Sequence, residues 1–217
     1  MSDSSAARVA ILESIRTSLG AQSTPAQIAE EYAALPRDYK RSSTLDSSAL
    51  LDLFQNRLEE YDAGVYRTTS AQIAATIAGI VESRKRHSLA IPEGVPTAWL
   101  PQEIRFEDAT SFDAYRLDAV EGVLTGCTVA IAETGSMVLQ NATAQGPRIL
   151  SLVPDYHLCV VFADQVVETV PEAFERLRAT DSVPTTFISG PSATADIEMT
   201  RIKGVHGPRF LDVVLVL

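Results

Sequence analysis

A chain of 217 residues, 46% hydrophobic and 21% charged, has the length for one domain with a sizeable core and a short appendage. Its formal net charge of −10 argues against a nucleic-acid binder, whose affinity rests on neutralising phosphates, and against an anionic membrane surface. The two cysteines, Cys127 and Cys159, stand far apart in apolar sequence, so no zinc or iron–sulfur site is encoded; with no basic-then-apolar leader and no run of about 20 apolar residues, a cytoplasmic protein without a membrane span is expected.

Along the chain, Ser4 or Ser5 caps a first helix in which Val9, Leu12, Ile15 and Leu19 recur at helical spacing, and Gly20 closes it. Residues 21–48 hold Pro25, Pro36 and a polar run from Lys40, and read as a linker. Residues 1–46 are therefore expected to form a helical arm and linker, and 47–217 the main domain. The arm suits docking to a partner or to a second copy of the chain, which would make a homo-oligomer.

From residue 47 the pattern alternates: a helix to Tyr61, a strand at 65–68, a helix at 70–84 and a strand at 88–91, which is βαβ logic. Beyond Asp118 come apolar, β-rich runs at 120–124, 129–132, 137–139, 157–162 and 166–170, then a helix at 172–179 and a last strand at 211–217. The expected class is α/β with a mixed sheet.

The densest punctuation lies at residues 188–208. Gly190 and Pro191 break the preceding strand, and Ser192 or Thr194 caps a predicted short helix whose free N–H groups attract anions. Gly204 and Gly207-Pro208 end that helix and bend the chain toward the last strand. Plain helix capping accounts for the same hydroxyls without a ligand.

Residues 190–198, Gly-Pro-Ser-Ala-Thr-Ala-Asp-Ile-Glu, followed by Gly-Val-His-Gly-Pro at 204–208, resemble the signature of the LUD-domain family, in particular its lactate-utilisation protein C group. A second block matches in order and spacing: Gly126, then Ala132-Glu133-Thr134-Gly135-Ser136, then Leu152-Val153-Pro154 and His157. The resemblance is close over residues 118–217 and loose before them. One position departs from the pattern: where a Lys or Arg is usual, this chain has Ala193, which offers no charge-assisted hydrogen bond, and Arg148, Arg201 or Lys203 would have to substitute.

The resemblance implies the fold shared by sugar-phosphate isomerases and coenzyme A transferases, a Rossmann-like α/β/α three-layer sandwich, here with the N-terminal helical arm. It also implies a role in a bacterial system that oxidises L-lactate to pyruvate, with iron–sulfur clusters held by partner proteins and none by this chain. On that reading Gly190, Ser192, Thr194, Asp196 and Glu198, with Gly135, bind a small anion, and Glu133 and His206 are the candidate catalytic groups. Coenzyme A transferases carry a nucleophilic glutamate in a similar E-x-G loop, so the alternative is a stand-alone enzyme on a small phosphorylated or acyl-coenzyme A substrate using Glu133.

Each residue also has a plainer explanation. Glu133 suits a solvent-facing hairpin turn, His206 a turn histidine bonded to a carbonyl, and His157 a strand-start histidine. His87 suits a solvated cation at a helix end. Asp196 and Glu198 with His206 follow no metal-ligand spacing, so no metal is expected. Cys127 and Cys159 read as small core hydrophobes.

Overall fold

The computed structural model describes residues 3–20, 23–195, 201–204 and 206–217. It divides into two compact units, residues 1–39 and 40–217. The first holds helix α1 (Asp3–Leu19) and helix α2 (Pro25–Ala34). The second helix corrects the reading of this stretch as linker. Thr24 and Gln27 form a reciprocal capping box and Pro25 stands at the first turn, where its missing N–H is harmless. Val9, Leu12, Ile15 and Leu19 of α1 are all exposed, as are Ile28 and Tyr32 of α2. The boundary between units falls at Tyr39/Lys40, earlier than the expected 46/47.

The second unit opens with α3 (Ser47–Glu60), capped by Asp46. Strand β1 (Gly64–Thr68) leads through a 3₁₀ turn to α4 (Ile73–Ser83), then β2 (Ser88–Ile91), β3 (Arg105–Asp108), α5 (Ala114–Asp118) and β4 (Val123–Gly126). After these come β5 (Val129–Ile131), β6 (Ser136–Gln140), α6 (Arg148–Leu152), β7 (Tyr156–Phe162), β8 (Val166–Val167), α7 (Val170–Leu177) and β9 (Thr185–Ile188). The chain ends with β10 (Ala193–Ala195), β11 (Arg201–Lys203) and β12 (Phe210–Val216).

Six strands form one sheet in the order β1-β12-β7-β4-β2-β3, with every neighbouring pair parallel. Its central strands are apolar at consecutive positions because both faces are covered. Leu158, Val160, Val214 and Val216 pack with Ile73, Ile77 and Ile80 of α4. Cys159, Val161, Val213 and Leu215 pack on the other face with Phe54 and Leu58 of α3 and with Ala130 and Met137 of a second sheet, β8-β5-β6-β9. That smaller sheet is mixed, and its outer face packs through Val129, Ile131 and Val138 against Ala173 and Leu177 of α7. The fold is thus Rossmann-like α/β, with the mixed pairing confined to the second sheet.

Asp212 of β12 is a fully buried carboxylate. The Arg84 guanidinium at the end of α4 donates to both its oxygens, at 2.8 and 2.6 Å. Breaking a buried pair strands a desolvated charge, at a cost of about 3–5 kcal/mol. Arg84→Met is therefore expected to lower the unfolding free energy by about that much in urea titration, and adding Asp212→Asn to recover part of the loss.

Candidate functional site

In the C-terminal motif, Gly190 adopts φ +86°, and a Cβ there would lie 2.5 Å from Cβ of Tyr61, so only glycine fits. The predicted helix after it is absent among the described residues. Ala193–Ala195 instead pair antiparallel with Arg201–Lys203, Thr194 opposite Ile202. The reason is long-range: the Ser192 N–H donates to the Pro208 carbonyl at 2.8 Å and its carbonyl accepts from Gly204 N–H at 2.9 Å, which ties the segment into a ribbon. Ser192 is followed by a strand among the described residues, so it is no helix cap. Its Oγ accepts from the His206 N–H at 3.1 Å, joining the two halves of the motif. Asp196 and Glu198 lie outside the described residues.

Gly190, Ser192, Ala193 and His206 line one cavity of about 300 Å³ together with Arg148 and Ser151. A neighbouring cavity of about 800 Å³ shares Arg148, Leu152, His206 and Gly207, and adds Asp118, Asp155 and Arg209. Asp155 is held below the usual carboxylate range by Arg209, which donates to both its oxygens at 2.5 and 2.9 Å. Arg148 forms no ion pair among the described residues. A basic side chain therefore stands in the same cavity as Ala193, at the position from which sequence alone could only nominate it. These cavities open at the starts of β4, β7 and β12, the N-terminal edge of the parallel sheet.

Glu133 and Gly135 occupy the turn between β5 and β6. Gly135 has φ +59° and lies so close to α3 that a Cβ would sit 3.0 Å from the Arg57 carbonyl carbon. The Glu133 N–H donates to the Glu168 carbonyl at 3.0 Å, and its carboxylate is 3.5 Å from Lys40 Nζ. Glu133 lines neither cavity. The turn nevertheless reaches the C-terminal motif through three hydroxyls: Thr134 to Ser136 at 2.7 Å, and Ser136 to Ser189 at 2.6 Å.

Sequence reading missed Glu168 entirely. Its side chain is 3% exposed and pairs with Lys40. It also accepts from Ser43 Oγ at 2.8 Å, Thr44 N–H at 2.7 Å and Leu45 N–H at 3.2 Å. Lys40, followed by these donors, brings its carboxyl down to about 2. His157 is buried, with Nε2 2.7 Å from Thr125 Oγ1. Burial pushes its imidazole down to about 4, so the ring is a neutral core group. Both cysteines are buried, and hydrogen bonding with Cys159 together with burial pushes the Cys127 thiol well up, away from nucleophilic behaviour.

The LUD domain profile matches residues 51–216, from α3 through the last strand. The chain belongs to the LUD-domain family. A Deinococcus radiodurans protein named "Lactate utilization protein C" is 40% identical over 186 residues, 84% of this chain and 86% of that protein. A Geobacillus kaustophilus protein of the same name is 26% identical over 93% of this chain and 92% of its own length. The Escherichia coli protein YkgG is 39% identical over 84 residues, 36% of each chain. A crystal structure of a DUF162 family protein from Deinococcus radiodurans superposes with a TM-score of 0.69 at 34% identity, covering 80% of this chain and 99% of that one. Among the described residues, no helix is long and apolar enough to cross a membrane.

The Glu168 carboxyl falls from 4.5 to about 2 in the folded chain, so its contribution to stability is complete above pH 4.5 and lost as pH falls toward 2. Urea titrations across that range are expected to show a steep acid loss in the native chain and a shallower one in Glu168→Gln, which starts less stable at pH 7. For His157 the unfolded chain takes up a proton near 6.5 and the folded one only near 4. NMR of the ring nitrogens at pH 5 should find His157 neutral, with stability falling as pH drops from 6.5 toward 4.

Proposed function

We propose that this LUD-domain protein is a component of a bacterial lactate-utilisation system, binds a small carboxylate such as lactate or pyruvate, and works with iron–sulfur proteins. The observation that carries the reading is Arg148. It stands without an acidic partner among the described residues, beside Ser192 and His206 in a cavity of suitable size. Arg148 takes the carboxylate; Ser192 still has a hydroxyl hydrogen to donate; the His206 imidazole, in the same lining, is the group that would receive the proton of the alcohol. The names of the curated relatives support the same substrate.

Oxidising lactate to pyruvate releases two electrons and two protons. A four-cysteine cluster exceeds what this chain's two buried cysteines supply, so the electrons pass to clusters in the partners. The exposed stripe Val9, Leu12, Ile15 and Leu19 is the surface on which a partner helix or groove would dock. The alternative, a stand-alone enzyme with Glu133 as nucleophile, has less support, because that carboxylate is beside Lys40 and outside both cavities.

The tagged chain purified from lactate-grown cells is expected to bring down iron–sulfur proteins and lactate-dependent dye reduction. Arg148→Ala should keep the association and weaken lactate or pyruvate binding about 10- to 100-fold by calorimetry, the value of a charge-assisted contact. An iron-free protein without lactate-driven reduction, and with Arg148→Ala binding unchanged, would overturn the reading.

A further inference from the structure

A different cavity, of about 530 Å³, lies at the opposite end of the parallel sheet. Strands β2 and β3 end at Ile91 and Asp108, and the chain turns there through Pro92-Glu93-Gly94 and Ala109-Thr110. The loop 141–147 after β6 closes the cavity from the second sheet. Outside the carboxyl ends of parallel strands is where open α/β sheets receive ligands.

The walls are built rather than loose. Glu93 carbonyl accepts from Ala144 N–H at 2.8 Å, and Ala144 carbonyl accepts from Gly126 N–H at 2.8 Å. Gln145 Oε1 accepts from Gln140 N–H at 2.7 Å and Thr128 Oγ1 at 3.0 Å. Gly94 has φ +82°, and a Cβ there would lie 2.3 Å from Cγ2 of Thr143, so the two loops interlock. Between these bonds Ala144 is held at φ +61°, a left-handed conformation that non-glycine residues rarely adopt and that concentrates at ligand-binding and active sites.

The lining has one charge. Among the described residues Glu93 is its only ionisable side chain, and it pairs with no cation there. Thr110, Asn141 and Thr143 add side-chain oxygens, while Pro147 and Leu150 supply apolar surface. Asp108, which accepts from the Thr110 N–H and Oγ1, adds a second carboxylate next to a lining residue. Among the described residues no lysine, arginine or histidine lines the space, so a carboxylate or phosphate would find nothing to neutralise it.

We infer that this cavity binds a small organic cation, whose ammonium group is held by the Glu93 carboxylate and by the side-chain oxygens of Thr110, Asn141 and Thr143. An ammonium brings three donors and no acceptor, and the Glu93 carboxylate with the side-chain oxygens of Thr110, Asn141 and Thr143 supplies acceptors for all three. The apolar side takes the carbon skeleton.

The test is amide-resolved NMR of the full chain titrated with putrescine, agmatine, ethanolamine and cadaverine, and with 1,4-butanediol and lactate as neutral and anionic counterparts. At least one cation is expected to give saturable shifts confined to Gly94, Thr110, Asn141 and Thr143, weakened at least tenfold in Glu93→Gln and restored in part in Glu93→Asp. Failure of all four cations to saturate these signals would overturn the inference. So would equal binding of the diol, or unchanged binding in Glu93→Gln. Lactate shifts at Arg148 and His206 report on the other cavity alone, so either reading can fail without the other.

Discussion

The burial of β7 and β12 on both faces is the constraint from which the rest of the architecture follows. A strand covered on one side by α4 and on the other by α3 and the second sheet has no face left for polar chemistry. The exceptions inside are paired or neutral: Asp212 with Arg84, and His157 with Thr125. The polar-lined cavities accordingly lie at the two ends of the sheet, where the connections emerge. One end gathers Arg148, Ser192 and His206, the other Glu93, Thr110, Asn141 and Thr143.

Helix α6 joins those ends. Arg148, Ser151 and Leu152 line the cavity of the C-terminal motif, whereas Leu150, with Pro147 just before the helix, lines the cavity at the carboxyl ends of β2 and β3. In a helix of five residues, neighbouring positions face different directions, so one turn serves two walls. Leu150 is also buried among Ala90, Ala109, Leu117 and Val123, which fixes the turn firmly. Any displacement of α6 by an occupant on one side moves the wall of the other, since packed interiors shift in discrete steps rather than yielding smoothly.

What the sequence made legible were the local rules. The apolar runs that became β7 and β12, the helices α3 and α4, and the glycine turns at 190 and 204 are all written in contiguous residues. Arg148 was readable only as one of three basic substitutes for the missing charge at Ala193. The ribbon β10–β11 was misread as a helix because Ser192 and Thr194 satisfy the rules for a helix cap, and nothing nearby reveals that Pro208 and Gly204 claim the Ser192 backbone first. Glu168 was invisible for the same reason: its partners Lys40, Ser43 and Thr44 lie more than a hundred residues away. Helix α2 was the opposite case. Its capping box at Thr24 and Gln27 was present in the sequence, and Pro25 was weighed as a breaker when it stood in the first turn.

The charge of −10 sets the two cavities apart energetically. A diffuse negative field raises the local concentration of cations and lowers that of carboxylates, which favours the Glu93 cavity and opposes the Arg148 one. At physiological ionic strength, however, exposed charges beyond about 8 Å are largely screened, so most of the net charge is not felt inside either space. What remains is the nearest group. At one end Asp155 is neutralised by Arg209 and Asp118 lines only the larger cavity, so Arg148 sets the sign of the smaller one; at the other no cation among the described residues lines the wall, and Glu93 sets it. An acidic chain can thus present a cavity suited to a carboxylate, provided no acid lines it unpaired, and the smaller cavity around Arg148 meets that condition among the described residues.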